Sequence, residues 1–289
     1  MAELERKLRK PTQNHHKCRI KMRTKQVIEL TWQFTKRDVI GRYKGSFLGL
    51  GWSLLSPLFM LGLYTFVFST ILRTRWPGIS EQSPLLYATN LFAGLIIINF
   101  INEVTIKSST LILGNANYVK RVVFPLQILG ISTVLSAGFH ASVSIGLLIL
   151  FQFIGTAQLP LSIVSIPMLW LPLMISALGI SWIISAISVY IRDAVQFINI
   201  GLTLLLFLSP VFFPASAYPE RYRPFLNLNP LVWMIEEMRQ VALGGEWPNP
   251  ASLCIALVGS TLMAYCCLRL FKRASRGFAD VLWPYDKSD

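Results

Sequence analysis

The chain has 289 residues, of which 53% are hydrophobic and 14% charged, with a formal net charge of +13. An ordinary soluble domain carries about 25% charged residues, so this composition excludes one and indicates an integral membrane protein. Thirteen of the 27 Lys and Arg precede residue 45, and a basic arm beside membrane spans selects anionic lipid headgroups, not nucleic acid.

Residues 1–25 are polar and basic and lack the apolar core of a cleavable signal. No signal peptide is expected, and the segment reads as a flexible cytoplasmic arm. Residues 26–44 carry a helical pattern. Ile28, Trp32, Thr35, Val39 and Tyr43 fall in one narrow sector at the helical period, with Leu30 and Phe34 off it. Lys25, Lys36 and Arg42 flank the sector and can snorkel toward phosphates. This is an amphipathic interfacial helix, which either lies on the membrane or packs on the protein's own cytoplasmic end. Arg37, Arg42 and Lys44 precede the first apolar run, and positive charge there marks the cytoplasmic side.

The first span is expected over residues 46–72, with Pro57 kinking it near Ser53. Arg73, Arg75, Trp76 and Pro77 then form an external loop. The second span, 85–101, holds Asn90 and Asn99. A polar internal stretch follows over 102–121, with Lys107, Lys120 and Arg121. The third span, 126–154, contains His140, either a proton site or, the favoured reading, a side chain bonded to a neighbouring helix. The fourth, 163–191, carries Pro167 and Pro172 and ends in a tight turn at Arg192 and Asp193. The fifth apolar run, 197–213, is short and interrupted by Pro210 and Pro214. It either spans barely or is followed by a segment that dips back into the membrane. A long external stretch, 215–250, includes a helix over 230–243 with Trp233 on one side and Glu236, Glu237 and Arg239 on the other. The sixth span is 251–271, and 272–289 is a basic cytoplasmic tail.

The expected fold is therefore all-α, with six transmembrane helices and both termini cytoplasmic. Short external re-entrant or periplasmic helices precede the last span. Residues 26–271 form the transmembrane domain. Cys18, Cys254, Cys266 and Cys267 make no disulfide framework and no CxxC metal site.

The chain has no GxxxxGK[ST] stretch to cradle a nucleotide and no HExxH. The expected span interiors hold essentially no charge, which argues against a pump driven by protons or sodium. Energy must come from elsewhere, or the path is passive. Aromatic residues are dense in the first span, at Trp52, Phe59, Tyr64, Phe66 and Phe68, and return at Phe207, Phe212 and Phe213. They either serve packing and interfacial anchoring or offer faces on which sugar rings stack. Trp52, Phe59 and Phe66 share one helical face, and Tyr64 and Phe68 another. Only one face can point at a pore. A membrane enzyme acting on lipid-linked sugar is the rival from another class. It would need an acid or His, and Asp38, Glu103, Asp193 and His140 are the candidates.

Five blocks occur in order: RDVIGRYKGSFLGLGWSLLSPLFMLGLYTFVFS, NYVKRVVFPLQIL, RDAVQFINIGLTLLLFLSPVFFP, LNLNPLVWMIEEMRQVALGG and GFADVL. Together they resemble the type-2 ABC transporter permeases that export polysaccharides, over nearly the whole chain from residue 26. O-antigen and related lipopolysaccharide exporters are nearer in pattern than capsule and teichoic acid exporters. A permease for a drug or a lipid is the alternative within transport.

The resemblance implies a homodimer, each subunit bound to a separate ATP-binding subunit that holds ATP and Mg, with no cofactor in this chain. It implies a substrate on an undecaprenyl diphosphate carrier, moved from cytoplasm to periplasm across the bacterial inner membrane. It places the ATPase contact at Asn115, Tyr118, Lys120, Arg121, Phe124 and Pro125, and external helices near the pore exit at 215–245. Trp52, Phe59, Tyr64 and Phe207 are then the candidate pore-lining aromatics. Arg37, Arg42 and Lys44 either attract the carrier diphosphate or serve topology alone.

Overall fold

A computed structural model of the chain describes residues 24–71, 84–119, 124–214, 218–222, 226 and 229–282. Among these residues the regular structure is all helical. The basic arm, Cys18, the loop with Arg73, Arg75, Trp76 and Pro77, and the pair Lys120 and Arg121 lie outside the described residues, as does the side chain of Phe68.

Helix α1 is Thr24–Tyr43. Gly45 and Gly49 follow with φ of 84° and 50°, left-handed values that break the helix. The apolar helix α2 thus starts at Trp52 instead of residue 46. It runs to Thr65 and continues as a π-helical segment, Phe66–Ile71. Pro57 stands inside it. Helix α3 is Pro84–Gly114, and α4 is the short Ala116–Val119. Helix α5 is Gln127–Thr156. A 3-10 segment, Leu161–Ser165, leads into α6, Ile166–Tyr190, where Pro167 sits harmlessly at the N-terminus. Helix α7 is Ala194–Leu208, and α8 is Pro230–Arg239, capped by the Asn229 side chain on the Leu231 N–H. A π-helical segment, Gln240–Gly244, follows it. Helix α9 is Pro250–Ala274, and α10 is Phe278–Leu282.

Four helical stretches are long and apolar enough to cross a membrane: Leu85–Gly114, Gln127–Thr156, Leu161–Tyr190 and Pro250–Leu282. Two shorter apolar helices, α2 and α7, complete the set.

Helix α3 is the centre of the molecule. Leu91, Phe92, Leu95, Ile97 and Ile98 are fully buried, and α2, α5, α6, α7 and α8 all pack on it. A helix that is apolar on every side needs neighbours on every side. Helix α3 also corrects the sequence reading, because residues 102–114 are not an internal loop. They continue the helix well past the expected end at 101. The charges that mark a span's end in a linear reading, Glu103 and Lys107, are met by partners on α1 and α5, so the helix has no reason to stop.

A second core gathers at the α1 end, from Phe34, Ile112, Ile128, Leu129, Trp182, Phe271 and Phe278. Ser108 on α3 donates to Ser181 on α6 at 2.7 Å inside this region. Helix α10 folds back there, with the Phe278 ring 5.9 Å from Tyr190 and 5.8 Å from Phe271 between centroids, and the Tyr190 hydroxyl donates to the Ala274 carbonyl at the end of α9 at 2.7 Å. Helix α1 packs on its own protein, chiefly on α5. Its face divides differently from the expected stripe. Phe34 and Thr35 are buried, whereas Ile28 and Trp32 are exposed. Beyond α7 the chain turns inward, and Ser209, Val211 and Phe212 are buried.

Candidate functional site

The α1 end carries the densest polar chemistry among the described residues. Asp38 and Arg42 come from α1, Glu103 and Lys107 from α3, and Ser136 and His140 from α5. Glu103 and Lys107 are one helical turn apart, as are Asp38 and Arg42 and also Ser136 and His140, so each helix presents a matched pair. The Glu103 Oε1 lies 3.0 Å from Arg42 Nη2, 3.2 Å from Lys107 Nζ and 3.0 Å from His140 Nδ1. Lys107 also donates to Asp38 Oδ2 at 2.9 Å and to Ser136 Oγ at 3.0 Å, and Ser136 donates to Asp38 Oδ2 at 2.6 Å. Burial alone would raise the Asp38 carboxyl. The hydrogen bonds from Ser136 and Lys107 and the charges of Lys107 and Arg42 outweigh it and hold the group below its ordinary value.

His140 occupies a special position in this network. Its Nδ1 faces Arg42 Nη1 at 2.8 Å, which can only donate, and Glu103 Oε1 at 3.0 Å, which can only accept when ionised. One ring nitrogen satisfies one of these at a time, so the tautomer decides which bond is made. The other nitrogen, Nε2, is buried with no partner among the described residues. His140 is thus bonded to neighbouring helices, the favoured of the two sequence readings.

Beside the cluster lies a cavity of about 400 Å³ between α1, α2, α3 and α5. Arg42, Glu103 and His140 line it with Tyr43, Trp52, Ser53, Ser56, Asn99 and Ser144. Asn99 is the one exposed residue of α3 between Leu91 and Thr105.

The three cations assigned to a diphosphate have different surroundings. Arg42 is compensated by Glu103 at 3.0 Å. The Arg37 guanidinium lies over the Phe34 ring, 4.5 Å from its centroid, and donates to the Tyr118 hydroxyl at 3.4 Å. Lys44 is exposed.

Of the residues assigned to an ATPase contact, Tyr118 stacks on Phe124 with ring centroids 4.7 Å apart. Phe34 of α1 meets both rings edge-on, at 5.4 and 5.6 Å. Asn115 donates to the Leu111 carbonyl at 2.9 Å and so finishes α3. Pro125 is half-buried at the start of α5. The aromatic cluster ties the 115–125 segment to α1.

The aromatic residues of α2 divide by face. Trp52, Phe59 and Phe66 are 40%, 68% and 57% exposed. Tyr64 turns inward and meets Phe212 with centroids 5.4 Å apart. Phe207 on α7 is 64% exposed. The structure thus brings Trp52 to the polar cavity, leaves Phe59 and Phe207 on the surface and packs Tyr64.

Three of the four acid–base candidates for an enzyme, Asp38, Glu103 and His140, converge here, while Asp193 is exposed at the turn before α7. Asp38 is engaged by Lys107 and Ser136, and Glu103 by Arg42 and Lys107 with His140 beside it. Sequence reasoning did not find Lys107 and Ser136 as members of this cluster. The one-turn spacing within each pair was the available signal, but nothing in one dimension says that three such pairs meet.

At the other end of α3 stands Arg239, which the sequence pattern puts on the side of its helix opposite Trp233. It is buried. Its Nε donates to the Asn90 carbonyl at 3.0 Å and its Nη2 to the Val211 carbonyl at 2.9 Å, with Glu236 at 3.4 Å. Burial pushes the guanidinium down to about 10, still far above neutral pH, so it enters these contacts charged. A Cβ at Gly94 would stand 3.0 Å from Arg239 Nη2, so the close approach needs glycine. Glu237 is buried on the same side as Trp233, whose Nε1 donates to it at 3.1 Å. The expected division of this helix is corrected on both counts, because α8 packs on α3 and its polar groups point inward to partners.

Comparison with known proteins adds the family. The O-antigen export system permease protein RfbA of Klebsiella pneumoniae is 26% identical over 257 residues, covering 89% of this chain and 96% of that protein. The protein of the same name in Myxococcus xanthus is 23% identical over 247 residues, with coverages of 85% and 92%. The polysialic acid transport protein KpsM of Escherichia coli is 24% identical over 239 residues, with coverages of 82% and 90%. The family model described as ABC-2 type transporter matches residues 29–243, from the second turn of α1 into the π-helical segment after α8. The protein therefore belongs to the ABC-2 type transporter family.

Proposed function

We propose that the chain is the membrane-spanning permease subunit of an ATP-driven exporter of a lipid-linked polysaccharide. The observation that carries this reading is the end-to-end likeness to relatives named for O-antigen export, 89% of this chain against 96% of the relative. The chain works as a homodimer in the bacterial inner membrane, with ATP hydrolysed in a separate subunit and a glycan on undecaprenyl diphosphate moved to the periplasm. Six crossings with both termini cytoplasmic suit the helices. Helix α2 has 14 residues and its π-helical continuation six more, which is enough for a crossing of about 20 residues. Helix α7, at 15 residues, crosses only with the help of the inward turn after it.

In this orientation the α1 end is cytoplasmic. Asn115, Tyr118, Lys120, Arg121, Phe124 and Pro125 meet the ATPase, and the aromatic tie to Phe34 passes its movement to α1. Arg37 and Lys44 serve the carrier diphosphate, with Arg42 contributing less because Glu103 takes up its charge. Trp52, Phe59 and Phe207 offer weak stacking faces along the path, the kind of contact a sliding chain can leave.

The test is genetic and biochemical. Deleting the gene should remove the polymer from the cell surface and leave lipid-linked chains inside, and the intact gene should restore export. Purified permease should carry an ATP-binding subunit whose association weakens with Tyr118→Ala. Normal surface polymer in the deletion strain overturns the reading.

A further inference from the structure

We infer that the cavity between α1, α2, α3 and α5 is a binding site for one sugar unit of the transported chain, with His140 Nε2 reading a hydroxyl. The inference rests on the export reading above and adds to it a specific site within one protomer. Five observations carry it.

The cavity, about 400 Å³, has room for a hexose ring with bound water. Its charges balance. Arg42 and Glu103, the charged lining residues, are paired at 3.0 Å, so a diphosphate would find no spare cation there. Trp52 supplies an apolar wall and is 40% exposed. Asn99, Ser56 and Ser144 supply amide and hydroxyl groups around it. A neutral polyol with one apolar face matches that mixture, because sugars stack on aromatic rings and bond through hydroxyls.

His140 makes the choice sharper. Its Nε2 is buried without a partner among the described residues, and leaving a buried polar atom unmet is costly. Whether Nε2 carries the proton depends on whether Nδ1 answers Arg42 or Glu103. A hydroxyl both donates and accepts, so it satisfies Nε2 in either tautomer. An ionised phosphate oxygen only accepts and an ammonium only donates, so each fits one tautomer alone.

The test uses the full chain with its ATP-binding partner, in cells that make the polymer. Cys18, Cys254, Cys266 and Cys267 are replaced by Ser, and Asn99→Cys is introduced. The probe is a water-soluble maleimide, applied to membranes with the partner ATPase inactivated so that chains are held in the transporter. Labelling at position 99 should be about tenfold slower when lipid-linked glycan is present, the ratio that occupancy of roughly nine sites in ten would give. The comparison membranes come from cells blocked at the first sugar transfer, and a third set carries undecaprenyl diphosphate without sugar. Unchanged labelling overturns the site, and so does equal slowing by the sugar-free carrier. Trp52→Ala should lower export about tenfold at normal membrane abundance, whereas Trp52→Phe should restore most of it. Normal export by Trp52→Ala overturns the site while leaving the export reading intact. If the unsubstituted chain fails to restore export to a deletion strain, it is the export reading that fails first.

Discussion

Both ends of α3 receive a charged side chain from another element, and they treat it in opposite ways. Near Asn90, Arg239 is buried and bonded to the carbonyls of Asn90 and Val211. Main-chain oxygens do not titrate and move little. Near Glu103, charge is met by charge from two helices, through Arg42 and Lys107, with the His140 ring beside them. Those groups can exchange partners, as the two faces offered to His140 Nδ1 show. The first arrangement fixes a geometry and the second permits more than one. Substitutions at the two ends should separate these behaviours.

Arg239→Ala should have the largest effect. It removes a buried guanidinium with its bonds to two carbonyls and leaves a void, at a cost of about 3–5 kcal/mol, the range for breaking a buried charged contact. The measurement is the thermal midpoint of the purified permease in detergent. Arg239→Lys should recover only part, because an ammonium cannot fork between two carbonyls. A wild-type midpoint for Arg239→Ala would remove the contrast.

Glu103→Gln comes next, at about 2–3 kcal/mol, since Arg42 and Lys107 lose a shared anion. A cycle with Arg42→Gln should show coupling of about 1 kcal/mol, whereas a cycle with Arg239→Ala should be additive within about 0.5 kcal/mol. Asn90 and Glu103 stand about 20 Å apart along the helix. Strong coupling between the ends would show that α3 transmits strain along its length.

Gly94→Ala should cost about 1–3 kcal/mol by overpacking against Arg239. Much of that cost should vanish in the Arg239→Ala background, a non-additivity that melting curves of the double variant can read.

The smallest effect concerns pH. The Asp38 carboxyl is held below its ordinary value of about 3.9. Its contribution to docking α1 is therefore complete above about pH 4 and lost as pH falls through the lowered folded value. Protease access to α1 should stay flat between about pH 5 and 8. Asp38→Asn should open it by about 1 kcal/mol or less, because the side chain is 42% exposed and screened by solvent.

These contrasts also mark what could be read in one dimension. The apolar runs at 126–154 and 251–271 locate α5 and α9 to within a few residues, because lipid imposes length and hydrophobicity on each crossing independently. The end of α3 was hidden for the opposite reason. Glu103 and Lys107 look like a boundary until Asp38, Arg42 and His140 arrive from distant positions to satisfy them. Arg239 was hidden in the same way, since a linear reading cannot see that two carbonyls 149 and 28 residues away will hold it. The α1 stripe placed Phe34 outside, yet Tyr118 and Phe124 pull that ring inward. Periodicity ranks faces, but the neighbours decide which face is covered.

The seam of α9 bears on how the molecule is put together during synthesis. Only Leu253, Ser260, Ala264 and Phe271 of this helix are buried, and at Gly179 a Cβ would come within 3.2 Å of the Ala264 backbone. Association in lipid draws on such close approach, because the tails already solvate the remaining side chains. Helix α9 can thus enter the bilayer as an autonomous unit and then zip onto α6 at Gly179. The second core closes last, because Phe271 and Phe278 complete it against Phe34, Ile128 and Trp182 only once this helix has docked.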